Sequence, residues 1–196
     1  MTRSAKKDAE LEILRKVFPG KKYTVNERPD FILHGDEDFG VEIVEYYPDE
    51  TIARLHNRPD YTNEITSNTY VHKDDADKLE TVIVEYEDPK TGKWKKIPTP
   101  AVRQENMQIT DRIALLIKLI DNKSKTLESY DTKLQVIDLV AQDSRNTLLD
   151  GINNSFVLKT LDNLRRVGRF SNSGFRSIYV ILPPSKDIAQ HIVQVK

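Results

Sequence analysis

The sequence predicts an α/β domain in which a mixed central sheet is flanked by helices and interrupted by an inserted β-hairpin. Three observations predict it. An amphipathic helix is followed by three short strands in close succession. A longer helix then leads into an apolar strand, and a third helix leads into another. Such an order sets strands side by side with helices on the faces of the sheet. At 196 residues the chain has the length of a single domain, 1–196, with room for an insertion.

Leu11, Leu14, Val17 and Phe18 recur at helical spacing and predict a helix over 5–18, stopped by Pro19-Gly20. Tyr23 to Glu27 alternates as a short strand. Asp30 to His34 is a second strand with Phe31-Ile32-Leu33 at its centre. Phe39 to Tyr47 is a third, carrying Val41, Ile43, Val44 and Tyr46. Residues 48–104 differ in character, being rich in Asp, Asn, Thr and Pro. They are read as an insertion whose strands, 81–87 and 93–97, flank the turn Asp88-Pro89-Lys90-Thr91-Gly92. The longest helix is predicted over 105–130 and the next strand over 134–141. Helical spacing recurs at 146–149 and 156–167. Ser177 to Leu182 reads as a buried strand, and 187–195 as a short helix or edge strand.

Composition excludes several classes. The 30 basic and 31 acidic residues leave a formal charge of −1, which argues against a polybasic binder. With no cysteine there is no disulfide, zinc-thiolate site or thiol nucleophile. No apolar run reaches the ~18 residues of a membrane span. The basic N-terminus is followed by a polar amphipathic segment, unlike a signal peptide, so a cytoplasmic protein with no membrane partner is expected. His34, His56, His72 and His191 lack zinc-ligand spacing, and neither a glycine-rich phosphate loop nor a Gly-x-Ser-x-Gly elbow is present.

The chemistry concentrates in two adjacent strands. Asp30 begins one and Glu42 lies within the next, with a short turn between them. A hairpin brings such residues close, and two close carboxylates repel unless a cation lies between them. An all-oxygen site suits Mg²⁺ or Mn²⁺, which polarises a phosphate and lowers the pKa of an attacking water.

Pro29-Asp30, followed twelve residues later by Glu42-Ile43-Val44 on a helix-then-three-strands frame, resembles the PD-(D/E)XK nuclease superfamily. The likeness covers 5–47 well and 105–141 loosely. It implies a restriction endonuclease-like αβββαβ core and Mg²⁺-dependent hydrolysis of DNA phosphodiesters. Asp30 and Glu42 would be the metal-binding acids, with Glu12 matching the acidic residue that many members add from the first helix. Many members act as homodimers, although this sequence marks no dimer surface. One position departs from the pattern: the superfamily's lysine, two residues after the second acid, is Val44 here. Some members move that lysine to the following helix.

The long helix provides a candidate. Its apolar stripe is Ile109, Ile113, Leu116, Ile120 and Leu127. At ~100° per residue, Lys123 lies roughly 40° from the stripe centre, whereas Lys118 and Lys125 lie roughly 160–180° away. Lys123 is thus the catalytic candidate, with Tyr130 on the same side as a phosphate- or ligand-orienting group. Glu45 alternates away from Glu42 and is a lesser candidate for the metal. Two basic groups suit a nucleic-acid backbone: Lys90, Lys93, Trp94, Lys95 and Lys96 on the hairpin, and Arg165, Arg166, Arg169 and Arg176 further on. The rival expectations are a catalytically inactive nuclease-fold module that binds nucleic acid or protein, and an interaction protein on an unrelated α/β fold.

Overall fold

The structure, a computed structural model, describes residues 3–47, 49–58, 60–102, 108–130, 134, 136–143, 148, 154–182 and 191–196. Its elements are α1 (Arg3–Val17), β1 (Lys22–Val25), β2 (Phe31–His34), β3 (Phe39–Glu45), α2 (Glu50–Asn57) and α3 (Tyr61–Thr66). Next come β4 (Leu79–Glu87), β5 (Trp94–Val102) and α4 (Ile109–Thr126), which ends in a 3₁₀ turn at Leu127–Ser129. β6 (Ile137–Gln142), α5 (Asn154–Arg166), β7 (Ile178–Leu182) and β8 (His191–Gln194) complete the order. The chain divides into two compact units, Arg3–Pro48 with Gln108–Lys196, and Asp49–Met107 with Met1–Thr2.

The larger unit holds a six-stranded mixed sheet in the order β1-β2-β3-β6-β7-β8. β1, β2 and β3 pair antiparallel, whereas β3, β6 and β7 are mutually parallel. Strands buried on both faces read as continuous apolar runs, as Ile137 to Ala141 and Ile178 to Leu182 nearly do. One face is covered by α1: Leu14 packs with Phe31, Leu33, Val41, Ile43, Val140 and Ile181. The other is covered by α4 and α5, whose Ile113, Leu116, Ile120, Val157 and Leu161 pack with Leu139, Ala141, Val180 and Leu182. Alternate residues of β6 and β7 thus feed opposite cores, as pleating requires.

The tail resolves to the edge strand β8, antiparallel to β7. The helix expected over 146–149 lies outside the described residues except for Leu148, which is buried. The expected start of the long helix at Glu105 lies outside them too. α4 is described from Ile109.

The smaller unit holds more than the expected hairpin, because α2 and α3 precede it. Asp49 caps α2, its Oδ1 accepting the Thr51 N–H at 2.6 Å. Asp75, fully buried, ties the helices together. It accepts from Thr51 Oγ1 at 2.8 Å, from Tyr61 Oη at 2.6 Å and from the Arg54 guanidinium. A buried carboxylate is tolerated when its oxygens are satisfied in this way. β4 and β5 form a separate two-stranded sheet in this unit.

Candidate functional site

Asp30 is positioned by the β2–β3 ladder. Asp30 immediately precedes β2, whose Phe31 pairs with Val41 of β3. Its Oδ2 accepts the Ile43 N–H at 2.9 Å, and its Oδ1 lies 2.5 Å from Lys7 Nζ. Gly40 is needed for this arrangement. A Cβ there would collide with Pro29 Cγ and press on Ile137 and Leu134, so the bare backbone of β3 lets the Pro29-Asp30 segment lie close. We expect Gly40→Ala to cost ~1–3 kcal/mol in a denaturant melt, the usual range for overpacking. An unchanged midpoint would show that the segment yields freely.

Glu42 is 7% exposed and receives Lys123 Nζ at 2.7 Å. The lysine comes from α4, one helical step past the buried Ile113, Leu116 and Ile120, while Lys118 and Lys125 face outward. Val44 shares the face of Glu42, where it packs into the core beneath α4. Tyr130 is buried against the same group. Burial raises its phenol pKa well above the usual value, and the charges of Glu42 and Asp30 raise it further. It is therefore a neutral hydroxyl beside two carboxylates.

Glu12, the acid expected from the first helix, does not face inward, but Glu10, two residues earlier, does. Glu12 is exposed, whereas Glu10 is 5% exposed. At ~100° per residue Glu12 lies roughly 160° from the inward-facing Leu14, but Glu10 lies only about 40° from it. Lys7 falls on the same inward side. Its Nζ bridges Glu10 Oε2 at 2.8 Å and Asp30 Oδ1. Burial lowers the Lys7 pKa, but the hydrogen bonds to Asp30 and Glu10 outweigh it, leaving a raised value and a charged ammonium. Lys7 and Glu10 are the residues sequence reasoning missed. The helical wheel applied to α4 would have selected them if it had been applied to α1.

The remaining candidates are engaged locally. Glu45 accepts the Tyr47 hydroxyl. Arg165 and Arg166 both pair with Asp162, Arg169 pairs with Asp121 at 2.6 Å, and Arg176 pairs with buried Asp138 while lying over the Phe39 ring. On the hairpin, Lys95 pairs with Asp88 and Lys96 with Glu85, both at 2.5 Å, while Lys93 and Trp94 are exposed. Local acids thus balance most of the basic groups expected to meet a phosphate backbone.

Among the described residues, no three of His, Asp and Glu are gathered as a ready cage for a metal ion. A pair of carboxylates is nevertheless an ordinary Mg²⁺ holder, since that ion keeps several waters and takes substrate phosphate as a further ligand. The oxygen-only donors of Asp30 and Glu42 fit this chemistry. Among the described residues no helix is long and apolar enough to cross a membrane. Comparisons with protein-family models, curated proteins and solved structures found no match.

Proposed function

We propose that this chain is a divalent-metal-dependent nuclease of the PD-(D/E)XK type, hydrolysing DNA phosphodiester bonds on a restriction endonuclease-like core. The observation that carries the reading is the contact of Lys123 with Glu42, next to Ile43, whose N–H donates to Asp30. It supports a relocated lysine, the ammonium arriving from α4 where Val44 leaves position 44 apolar. The order α1-β1-β2-β3-α4-β6 supports the core, being the αβββαβ order expected of that superfamily.

Asp30 and Glu42 would hold Mg²⁺ or Mn²⁺, with Glu10 in place of Glu12 as the helix acid. When bound, the ion supplies polarisation of the scissile phosphate and a lower pKa for water. Lys123 would stabilise negative charge growing on the phosphate, and the neutral Tyr130 hydroxyl would donate to it. Cleavage of supercoiled plasmid and single-stranded DNA with Mg²⁺, with Mn²⁺ and with chelator tests this reading. The expected result is metal-dependent cutting that Lys123→Met lowers about 10²–10³-fold, the scale of one lost charge-stabilising donor. Metal-independent cutting, or full activity in that variant, would contradict it.

One observation favours a second reading. Lys7 and Lys123 already neutralise the acids without a metal. An inactive nuclease-fold module binding nucleic acid or protein would keep that arrangement. It would show no Mn²⁺ binding, and any DNA binding would be indifferent to chelator.

A further inference from the structure

Each strand of the β4–β5 hairpin has nine residues; Glu80 to Glu87 and Trp94 to Pro98 are exposed, while Leu79 and Thr99 to Val102 are half-buried. Two-stranded hairpins are marginal in water by themselves. This one also exposes Val82, Ile83, Val84, Tyr86, Trp94 and Ile97, with Ile83 at 60% and Trp94 at 70%.

Its two edges are unequal. The Asp88 N–H donates to Lys93 O at 2.9 Å, which fixes the alternation of the ladder. Tyr86, Val84, Val82 and Glu80 therefore bond to β5, while Leu79, Thr81, Ile83, Glu85 and Glu87 turn their backbone groups outward. On β5 the outward positions include Pro98 and Pro100, which have no N–H to offer. That edge is blocked, as exposed edges commonly are. The β4 edge carries a full set of donors and acceptors, and among the described residues no strand pairs with it.

We infer that the β4 edge is an interface with a second copy of this chain, β4 pairing antiparallel with its symmetry mate about a two-fold axis at Ile83. The β4 sequence is self-complementary in that register. Ile83 meets Ile83, Val82 meets Val84, Thr81 meets Glu85, Glu80 meets Tyr86 and Leu79 meets Glu87, so no glutamate opposes another. Outward-facing residues meet outward-facing residues, as a shared ladder requires. Val82, Val84 and Ile97 of both copies then join into one apolar face. Charge argues against DNA as the occupant, because Glu80, Glu85, Glu87 and Asp88 balance Lys90, Lys93, Lys95 and Lys96.

Sedimentation of the full chain tests the inference, and it is independent of the nuclease reading. The wild type should sediment as a dimer, and Ile83→Lys, which sets two ammonium groups face to face, as a monomer with an unchanged circular dichroism spectrum. Because the chain lacks cysteine, Ile83→Cys introduces a single thiol. The paired Cα atoms would be about 5.5 Å apart, so a short bismaleimide should link the two copies at least tenfold faster than in Lys90→Cys, whose thiols lie at opposite ends of the shared sheet. A wild-type monomer, a dimer that survives Ile83→Lys, or equal linking of the two thiol variants would overturn the inference. So would a monomer whose DNA binding is strengthened by Ile83→Lys.

Discussion

Asp30→Asn and Glu42→Gln are each expected to lower Mg²⁺-dependent DNA cleavage about 10³-fold or more. Both changes keep the side-chain shape and remove one negative charge. The amide oxygen at 30 can still accept the Ile43 N–H that anchors Asp30, so the strand pairing has no reason to shift. On the proposed reading, what is lost is charge on a metal ligand. A bound ion contributes several kcal/mol of charge stabilisation, and each ~1.4 kcal/mol is a factor of ten in rate. Glu12→Gln is the matched control, since that side chain is exposed, and it should leave the rate unchanged. Glu10→Gln should lower it. Quantified plasmid cleavage under single-turnover conditions reads all four variants. Equal losses in Glu12→Gln and Glu10→Gln would show that the inward face of α1 has no bearing on the site.

The second large effect is expected in the smaller unit. Asp75→Ala leaves the Arg54 guanidinium, Tyr61 hydroxyl and Thr51 hydroxyl without their shared acceptor. Breaking one side of a buried ion pair typically costs ~3–5 kcal/mol. Hydrogen exchange should show α2 and α3 losing protection, and unchanged protection there would refute the role of Asp75. The same carboxylate sets an acid limit. Burial raises its pKa, but the bonds from Arg54, Tyr61 and Thr51 prevail and hold it far below the ordinary carboxylate range. A depressed folded-state pKa stabilises fully above the unfolded value, about 3.9, and that contribution is lost as pH falls towards the folded value. The contribution of Asp75 to this unit should therefore be constant with pH near neutrality and be lost only below about pH 4.

Where burial follows apolar periodicity, the fold could be read from the sequence. The stripe Ile113, Leu116, Ile120 located α4 and turned Lys123 inward, and the apolar runs of β6 and β7 marked the centre of the sheet. Helices α2 and α3 were illegible for the opposite reason. They are short, and they are organised around the carboxylate of Asp75, with Thr51 and Arg54 as its partners. At eight and six residues they offer too few turns for a period to stand out, and polar Thr51 and Arg54 take inward positions. At the site, the Asp30 carboxylate accepts the N–H of Ile43, the neighbour of Glu42, a contact that spacing around a short turn could suggest but not specify. Glu10 was passed over because an acid on an apolar stripe looks like a break in the pattern until its partner, Lys7, is seen beside it. Asp162 lies within one turn of Arg165 and Arg166, but the pairing of Arg169 with Asp121 and of Arg176 with Asp138 could not be foreseen, because those acids are 48 and 38 residues away.

The central claim is that Asp30 and Glu42 together hold a divalent ion beside Lys123. Titration of the isotope-labelled protein with Mn²⁺, followed by paramagnetic broadening of backbone amide signals, tests it without reference to activity. The account predicts saturable broadening centred on the amides of residues 30–31 and 41–44, lost in both Asp30→Asn and Glu42→Gln. Broadening centred elsewhere, or unchanged by those two substitutions, would contradict it.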